Sequence, residues 1–275
     1  MSSWVPAAAS ALVDLLLPPA CAVCRSPHAA DVGGVVCGPC LARVSPLANP
    51  QCARCGHPRL SAAAPLPGGS SATGAVDTLP PCRWCARLPP FVRAARSVCR
   101  MDHGTGPALV HALKYSGWSA VARPMAARMA RLAFPDDVVR ERTALVPLPL
   151  SAARERERGY NQAEHLAAAL SVAWRVPVWR DVVRRTRHTR SQVRLTPSER
   201  SGNVSHAFAA TESSGARLRG AHLVLVDDVI TTAASLNAAA QALADGGARI
   251  ISYITFGRAP DPGDRTDPDL DFDQD

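Results

Sequence analysis

The sequence predicts an α/β protein in which a parallel sheet flanked by helices follows a small cysteine-rich module. Eight of the nine cysteines lie in four Cys-x-x-Cys pairs before residue 88. From about residue 90 onward, helical and strand-like stretches alternate, which is typical of a parallel sheet covered by helices. With 275 residues and 47% hydrophobic composition, the chain is long enough for one sizeable core and one accessory module.

The apolar run at residues 7–17 predicts a short N-terminal helix, within residues 1–20, that packs on the next module. It lacks a basic leader, contains Asp14 and is shorter than the ~20 residues that span a bilayer. A cleaved signal peptide remains the alternative. Because no other stretch approaches about 18 uninterrupted apolar residues, we expect no membrane insertion and a cytoplasmic location.

The four cysteine pairs predict zinc sites at residues 21–88. Two thiolates three residues apart on a tight turn reach one tetrahedral metal, and two such turns complete a four-cysteine site. Pairing along the chain would give one or two structural Zn²⁺ sites, whereas crossed pairing and a disulfide framework remain open. The intervening stretch at 61–81, rich in Ala, Pro, Gly and Ser, predicts a flexible insertion. The predicted ligands are Cys21, Cys24, Cys37 and Cys40, then Cys52, Cys55, Cys82 and Cys85.

The first part of the α/β domain, predicted over residues 90–257, shows clear element boundaries. Residues 143–150 read as a short apolar strand entering a loop. Asn161, with Glu164 at the third helical position, predicts the start of a helix that follows this loop. Residues 196–199, with proline at the first helical position, repeat that arrangement.

The last strand–turn–helix unit is the clearest. Residues 222–226 form an apolar run that ends in Asp227 and Asp228, as expected of a buried central strand that delivers polar groups at its carboxyl end. A helix follows and closes at Gly246, and another strand begins near residue 250. Strand, polar turn and helix in this order direct backbone N–H groups and the helix dipole toward a phosphate site.

This unit has the chemistry of a ribose-5-phosphate pocket. Adjacent carboxylates accept hydrogen bonds from two vicinal ribose hydroxyls or order a magnesium ion, and the turn hydroxyls and amides hold the 5′-phosphate. The alternative is a pair of aspartates that merely caps a helix in solvent. The predicted binding residues are Asp227, Asp228, Thr231, Thr232, Ala233, Ala234 and Ser235.

Residues 224–235 resemble the phosphoribosyl-pyrophosphate (PRPP) motif of type I phosphoribosyltransferases, and the whole chain resembles the ComF (GntX-like) family. Further motifs similar to that family occur in family order: HALKY at 111–115, LVPLP at 145–149, RERERGYNQ at 154–162 and ERSGNV at 199–204. The cysteine pairs also fit, and only the insertion and the tail after about residue 258 lie outside the resemblance.

The resemblance implies a type I phosphoribosyltransferase fold, PRPP and Mg²⁺ as ligands, and a flap at residues 184–197. The catalytic residues would be Asp227, Asp228 and Arg158. Arginines of the kind that stabilise a departing pyrophosphate would line the loop after residue 150 and the flap, although a solvated basic face is the alternative. They are Arg154, Arg156, Arg158, Arg187 and Arg190, with Arg194 in the same flap.

One position departs from the family pattern. The turn usually reads Thr-Thr-Gly-Ala-Thr, whereas Ala233 stands here in place of the glycine. If the position requires positive φ, alanine costs phosphate affinity. If it is helical, alanine costs little.

Two main functions follow. The first is an enzyme that transfers phosphoribosyl from PRPP to a nitrogen nucleophile. The alternative, implied by the competence branch of the family, is a DNA-uptake protein whose zinc knuckles and arginines bind single-stranded DNA, with a DNA-uptake helicase as partner and PRPP as a regulatory ligand. The formal charge of +8 suits phosphate or nucleic-acid ligands. A regulator that senses PRPP without chemistry is a third reading. The acidic tail at 258–275 has a disordered composition.

Overall fold

The computed structural model describes residues 20–27, 35–59, 82–115, 117–186 and 207–260. Several predictions lie outside these ranges, namely the N-terminal helix, the insertion at 61–81, the helix start at 196–199, the flap arginines Arg187, Arg190 and Arg194, and the tail beyond residue 260.

Four strands form one parallel sheet in the order β1-β6-β5-β2. A separate antiparallel pair is made by β3 and β4. The predicted parallel sheet is therefore confirmed. The strands are β1 (Val92–Arg100), β2 (Arg142–Pro147), β3 (Val183–Arg185), β4 (Phe208–Ala210), β5 (His222–Ile230) and β6 (Ile250–Arg258).

Helices cover both faces of the sheet. They are α1 (Gly38–Ala42), α2 (Gly106–Tyr115), α3 (Ala122–Met129), α4 (Asp136–Glu141), α5 (Ala152–Arg158), α6 (Gln162–Trp174), α7 (Gly215–Leu218) and α8 (Ala234–Asp245). Along β5, Leu223 and Leu225 join the buried cluster that contains α8. Val224 and Val226 join the cluster that contains α2, α3 and α6. A strand buried on both faces has no polar alternation, which explains the continuous apolar run.

The start of α6 is fixed by its cap. The Asn161 Oδ1 accepts a hydrogen bond from the Ala163 amide at 3.0 Å, and its Nδ2 donates to the Leu148 carbonyl at 3.1 Å. The first bond satisfies an open helix amide, and the second ties the helix to the loop after β2. Just upstream, α5 ends at Gly159, whose φ of 78° is left-handed. Arg158 is thereby placed beside this loop.

The cysteine-rich module packs directly on the sheet domain. The Ala95 amide in β1 donates to the Arg54 carbonyl at 2.8 Å, and the Arg258 guanidinium at the end of β6 donates to the Cys55 carbonyl at 2.6 Å. Arg258 also lies 4.4 Å from the ring centre of Trp84, which is only 1% exposed. The second half of the module is therefore anchored on the edge strand β1 and on the end of its neighbour β6.

Among the described helices, none is both long and apolar enough to cross a membrane.

Candidate functional site

The candidate site lies at the carboxyl end of β5. This strand continues to Ile230, four residues past the end of the apolar run that the sequence predicted as the strand. It is longer because its pairing with β6 continues and places Asp227 opposite Thr255. The two aspartates are therefore part of the strand itself. Their backbone is held rigidly by the sheet.

The two acidic side chains lie side by side, with Asp228 buried and Asp227 partly exposed. Asp228 is 6% exposed, and its Oδ2 lies 3.1 Å from the Nζ of Lys114. Its amide donates to the Asp227 Oδ1 at 2.8 Å. Burial and the neighbouring Asp228 raise the pKa of Asp227 well above its usual value, although Lys114 and Arg158 act in the opposite direction. The pair therefore favours a bound cation.

A small pocket follows directly after the strand. Its volume is about 140 Å³, and it is lined by Asp227 and by residues 229–236. The Thr232 Oγ1 accepts a hydrogen bond from the Ala234 amide at 3.4 Å. The 12-residue helix α8 begins at Ala234, so its open amides and the positive end of its dipole are at this pocket. An anion of phosphate type fits such an environment.

Ala233 adopts the left-handed backbone conformation, with φ of 64° and ψ of 4°. The residue is buried and belongs to the same core cluster as Leu236. The turn thus requires the conformation that glycine adopts freely, and alanine pays roughly 1–2 kcal/mol to adopt it. Of the two possibilities open at position 233, the positive φ is the one observed.

Arg158 is held in place by two neighbours. Its guanidinium donates to the Gln162 Oε1 at 2.9 Å and to the Tyr115 hydroxyl at 3.4 Å. It also lies 5.1 Å from the centre of the Tyr115 ring. Arg154 and Arg156 are exposed on the same helix, α5. Of the predicted pyrophosphate arginines within the described ranges, Arg158 is thus the most firmly positioned.

Two further cations near the carboxylates were not predicted. Lys114 lies within the HALKY motif, which by itself indicates only the family. The one feature that could have drawn attention to it is that it is the only lysine in the chain. Arg185 ends β3, and burial lowers its pKa, with Arg154 acting in the same direction and Asp227 opposing it. Arg185 lies within the segment predicted as the flap, 184–197, whose first two residues instead belong to β3, and no sequence pattern distinguished it from the arginines around it.

The cysteines assemble into two separate four-cysteine groups, and the ligand atoms of each lie within 4.8 Å of one another. Pairing follows the chain, so the first group is Cys21, Cys24, Cys37 and Cys40, and the second is Cys52, Cys55, Cys82 and Cys85.

The sulfur spacing within these groups fits zinc. It is 3.7 Å between Cys24 and Cys37 and 3.4 Å between Cys52 and Cys85. Tetrahedral zinc with Zn–S bonds of ~2.3 Å requires sulfurs ~3.8 Å apart, whereas a disulfide needs ~2.05 Å. The groups are therefore structural zinc sites, and the disulfide alternative does not hold.

Comparison with known proteins agrees with this arrangement. Residues 12–85 match the double zinc ribbon domain, and residues 156–273 match the phosphoribosyl transferase domain. The DNA utilization protein YhgH of Salmonella typhi is 30% identical over 247 residues, which cover 86% of this chain and 96% of that protein. This chain belongs to the ComF/YhgH family.

Two other members of the ComF/YhgH family match a shorter stretch. Competence protein F of Haemophilus influenzae is 35% identical over 116 residues, 42% of this chain and 50% of that protein. Competence protein ComFC of Bacillus subtilis is 36% identical over 116 residues, 42% of this chain and 44% of that protein. The ComF resemblance of the sequence motifs is thus confirmed.

Proposed function

We propose that this member of the ComF/YhgH family binds PRPP with Mg²⁺ and transfers the phosphoribosyl group to a nitrogen nucleophile. The observation that carries the proposal is that Asp227 lines the pocket formed with residues 229–236, with Asp228 directly beside it in β5. A phosphorylated ribose needs carboxylates for its hydroxyls next to a helix start for its 5′-phosphate. Here only the short turn between β5 and α8 separates the two.

Each part of PRPP has a matching group. The ribose 2′- and 3′-hydroxyls would donate to the carboxylates of Asp227 and Asp228. The 5′-phosphate would accept from the amides and hydroxyls of residues 231–235. The pyrophosphate would face Arg158 and Arg185, which both interact electrostatically with Asp227.

The acidic pair also fits a magnesium ion. Mg²⁺ prefers oxygen ligands and is bound through one or two carboxylates plus substrate phosphates. Asp227 and Asp228 would hold it, and when bound it would neutralise charge on the pyrophosphate oxygens.

Transfer needs little from the protein besides position and charge. The lone pair of the incoming nitrogen forms the N–C1′ bond while the C1′–O bond breaks and its electron pair leaves on pyrophosphate; the surplus proton leaves the nitrogen for solvent. Arg158, clamped by Gln162 and Tyr115, would stabilise the departing anion without reorganising.

Pyrophosphate release tests the proposal. The zinc-loaded protein is incubated with PRPP, Mg²⁺ and a panel of nitrogen nucleophiles: ammonia, purine bases and pyrimidine bases. We expect release that depends on one acceptor and falls at least about 100-fold in Arg158→Gln, the size seen when a charge-stabilising donor is lost. PRPP binding without turnover on any acceptor would refute transfer and favour a PRPP sensor.

DNA binding is the second candidate, because the relatives carry DNA-utilization and competence names and this chain has a formal charge of +8. Arginine contacts to phosphates would make binding fall steeply with salt. Fluorescence anisotropy of a labelled single strand between 50 and about 200 mM salt tests it, with Arg154→Ala expected to weaken binding. A signal that does not respond to salt would count against this candidate.

A further inference from the structure

We propose that Lys114 is an internal counter-ion that occupies the Asp228 carboxylate and keeps a free divalent cation out of the site. Metal would then enter this pocket only together with PRPP. The last step rests on the proposed function, whereas the role of Lys114 toward metal does not.

The position of Lys114 is the first argument. Its Nζ lies 3.1 Å from the Asp228 Oδ2, and the two side chains are 23% and 9% exposed. An ion pair this sheltered from water is screened much less than one at the surface. The ammonium therefore neutralises the Asp228 carboxylate that a divalent cation would need.

The backbone under Lys114 is fixed. The residue lies in the last turn of α2, and the Tyr160 hydroxyl donates to the Leu113 carbonyl just before it, at 2.6 Å. The next residue, Tyr115, packs its ring against the Arg158 guanidinium. Rotation of the flexible lysine side chain on this helix turn can therefore release the carboxylate without a change in the fold.

The choice of residue is the third argument. Lysine and arginine together number thirty-one, and Lys114 is the only lysine among them. Arginine would bind a carboxylate with a planar fork that is hard to displace, whereas lysine is a compact point charge on a flexible stem. A counter-ion that must leave when a ligand enters is better supplied by lysine than by arginine.

The consequence is a metal site that is occupied by the protein's own cation until a ligand displaces it. In the absence of PRPP, the attraction between Lys114 and Asp228 opposes metal binding. The hydroxyls and phosphates of PRPP supply new partners for both groups, so a metal–PRPP complex overcomes this opposition where the bare ion does not.

Titration with Mn²⁺ alone tests the inference, with free Mn²⁺ followed by electron paramagnetic resonance on the zinc-loaded full chain. We expect Lys114→Met and Lys114→Gln to bind Mn²⁺ at least tenfold more tightly than the wild type. Lys114→Arg, which keeps the charge, should stay within threefold of the wild type. If neither neutral variant gains affinity, while circular dichroism shows both folded, the inference is overturned.

A double variant locates the effect. In Lys114→Met combined with Asp228→Asn, the gain should disappear, and its persistence would place the new metal site elsewhere and refute the inference. PRPP is absent from these measurements. Failure of the wild type to bind PRPP would therefore count against the proposed function alone, and the Mn²⁺ affinities would still decide the role of Lys114.

Discussion

The Asn237 side-chain amide donates a hydrogen bond to the main-chain carbonyl of Arg87 at 2.6 Å. Its oxygen accepts from the Tyr253 hydroxyl at 3.0 Å, and its backbone amide donates to the Ala233 carbonyl at 2.8 Å. Arg87 lies two residues after the zinc ligand Cys85. Asn237 therefore joins the turn after β5, the sheet and the second four-cysteine group.

Removing this link should destabilise the protein. Asn237→Ala leaves the buried Tyr253 hydroxyl without its acceptor, and we expect a loss of about 1–3 kcal/mol in the free energy of unfolding by urea. Adding Tyr253→Phe should recover part of that loss, because the unsatisfied hydroxyl is gone. The control, Gln241→Ala on the exposed side of α8, should change stability by less than about 0.5 kcal/mol. Equal losses at 237 and 241 would contradict the link.

Position 233 should discriminate strongly among side chains. Ala233→Val places a β-branched residue at positive φ in a packed core, so we expect a loss of more than about 2 kcal/mol on thermal or urea unfolding. Ala234→Val, the same change one residue on in the helix, should cost less than about 1 kcal/mol. Ala233→Gly relieves the strained backbone but loses a buried methyl worth ~0.8 kcal/mol, so its stability should stay near that of the wild type.

The two cysteine groups predict two zinc ions per chain. Elemental analysis of the purified protein should find two, and Cys24→Ser or Cys82→Ser should each reduce the number to one, because each removes a ligand from a different group. A strong chelator should lower the unfolding temperature, since zinc binding contributes to folding. One ion in the wild type, or loss of both in a single variant, would refute independent sites.

His222 predicts a loss of stability in acid. Burial lowers the pKa of His222 below 6.5, and its Nε2 lies 3.0 Å from the Ser252 Oγ. Below about pH 6.5 this histidine binds a proton in the unfolded chain but not yet in the folded one. The contribution of His222 to the free energy of unfolding is therefore complete above about pH 6.5 and decreases as the pH falls, by at most about 1.4 kcal/mol per pH unit. Urea unfolding at several pH values measures this slope. His222→Gln should reduce the slope, and an unchanged slope would exclude His222 as its source.

Local signals in the sequence were sufficient for much of the fold. The Asn161 cap predicted the start of α6, and the apolar run at 222–226 predicted a strand buried on both faces, because capping and burial are decided within a few residues. The Cys-x-x-Cys spacing predicted the zinc ligands for the same reason. The choice between sequential and crossed pairing depended on tertiary packing, and the structure decided it.

Long-range contacts were what the sequence did not reveal. Lys114 reaches Asp228 across 114 positions of the chain, and Asn237 reaches Arg87 across 150. No periodic pattern in the sequence predicts either contact. The conformation of Ala233 was also undecided, because alanine itself favours a helix and only the closure of the turn after β5 imposes positive φ.

Calorimetric titration with PRPP and Mg²⁺ tests the central claim most directly. We expect the wild type to bind one PRPP per chain, and Asp227→Asn combined with Asp228→Asn to lose at least about tenfold in affinity, since hydrogen bonds to charged groups contribute about 1.5–3 kcal/mol each. Asp245→Asn, at the far end of α8, is the matched control and should bind as the wild type does. No heat of binding with the wild type, or equal affinity in the Asp227/Asp228 double variant, would contradict the assignment of this strand end as a PRPP site.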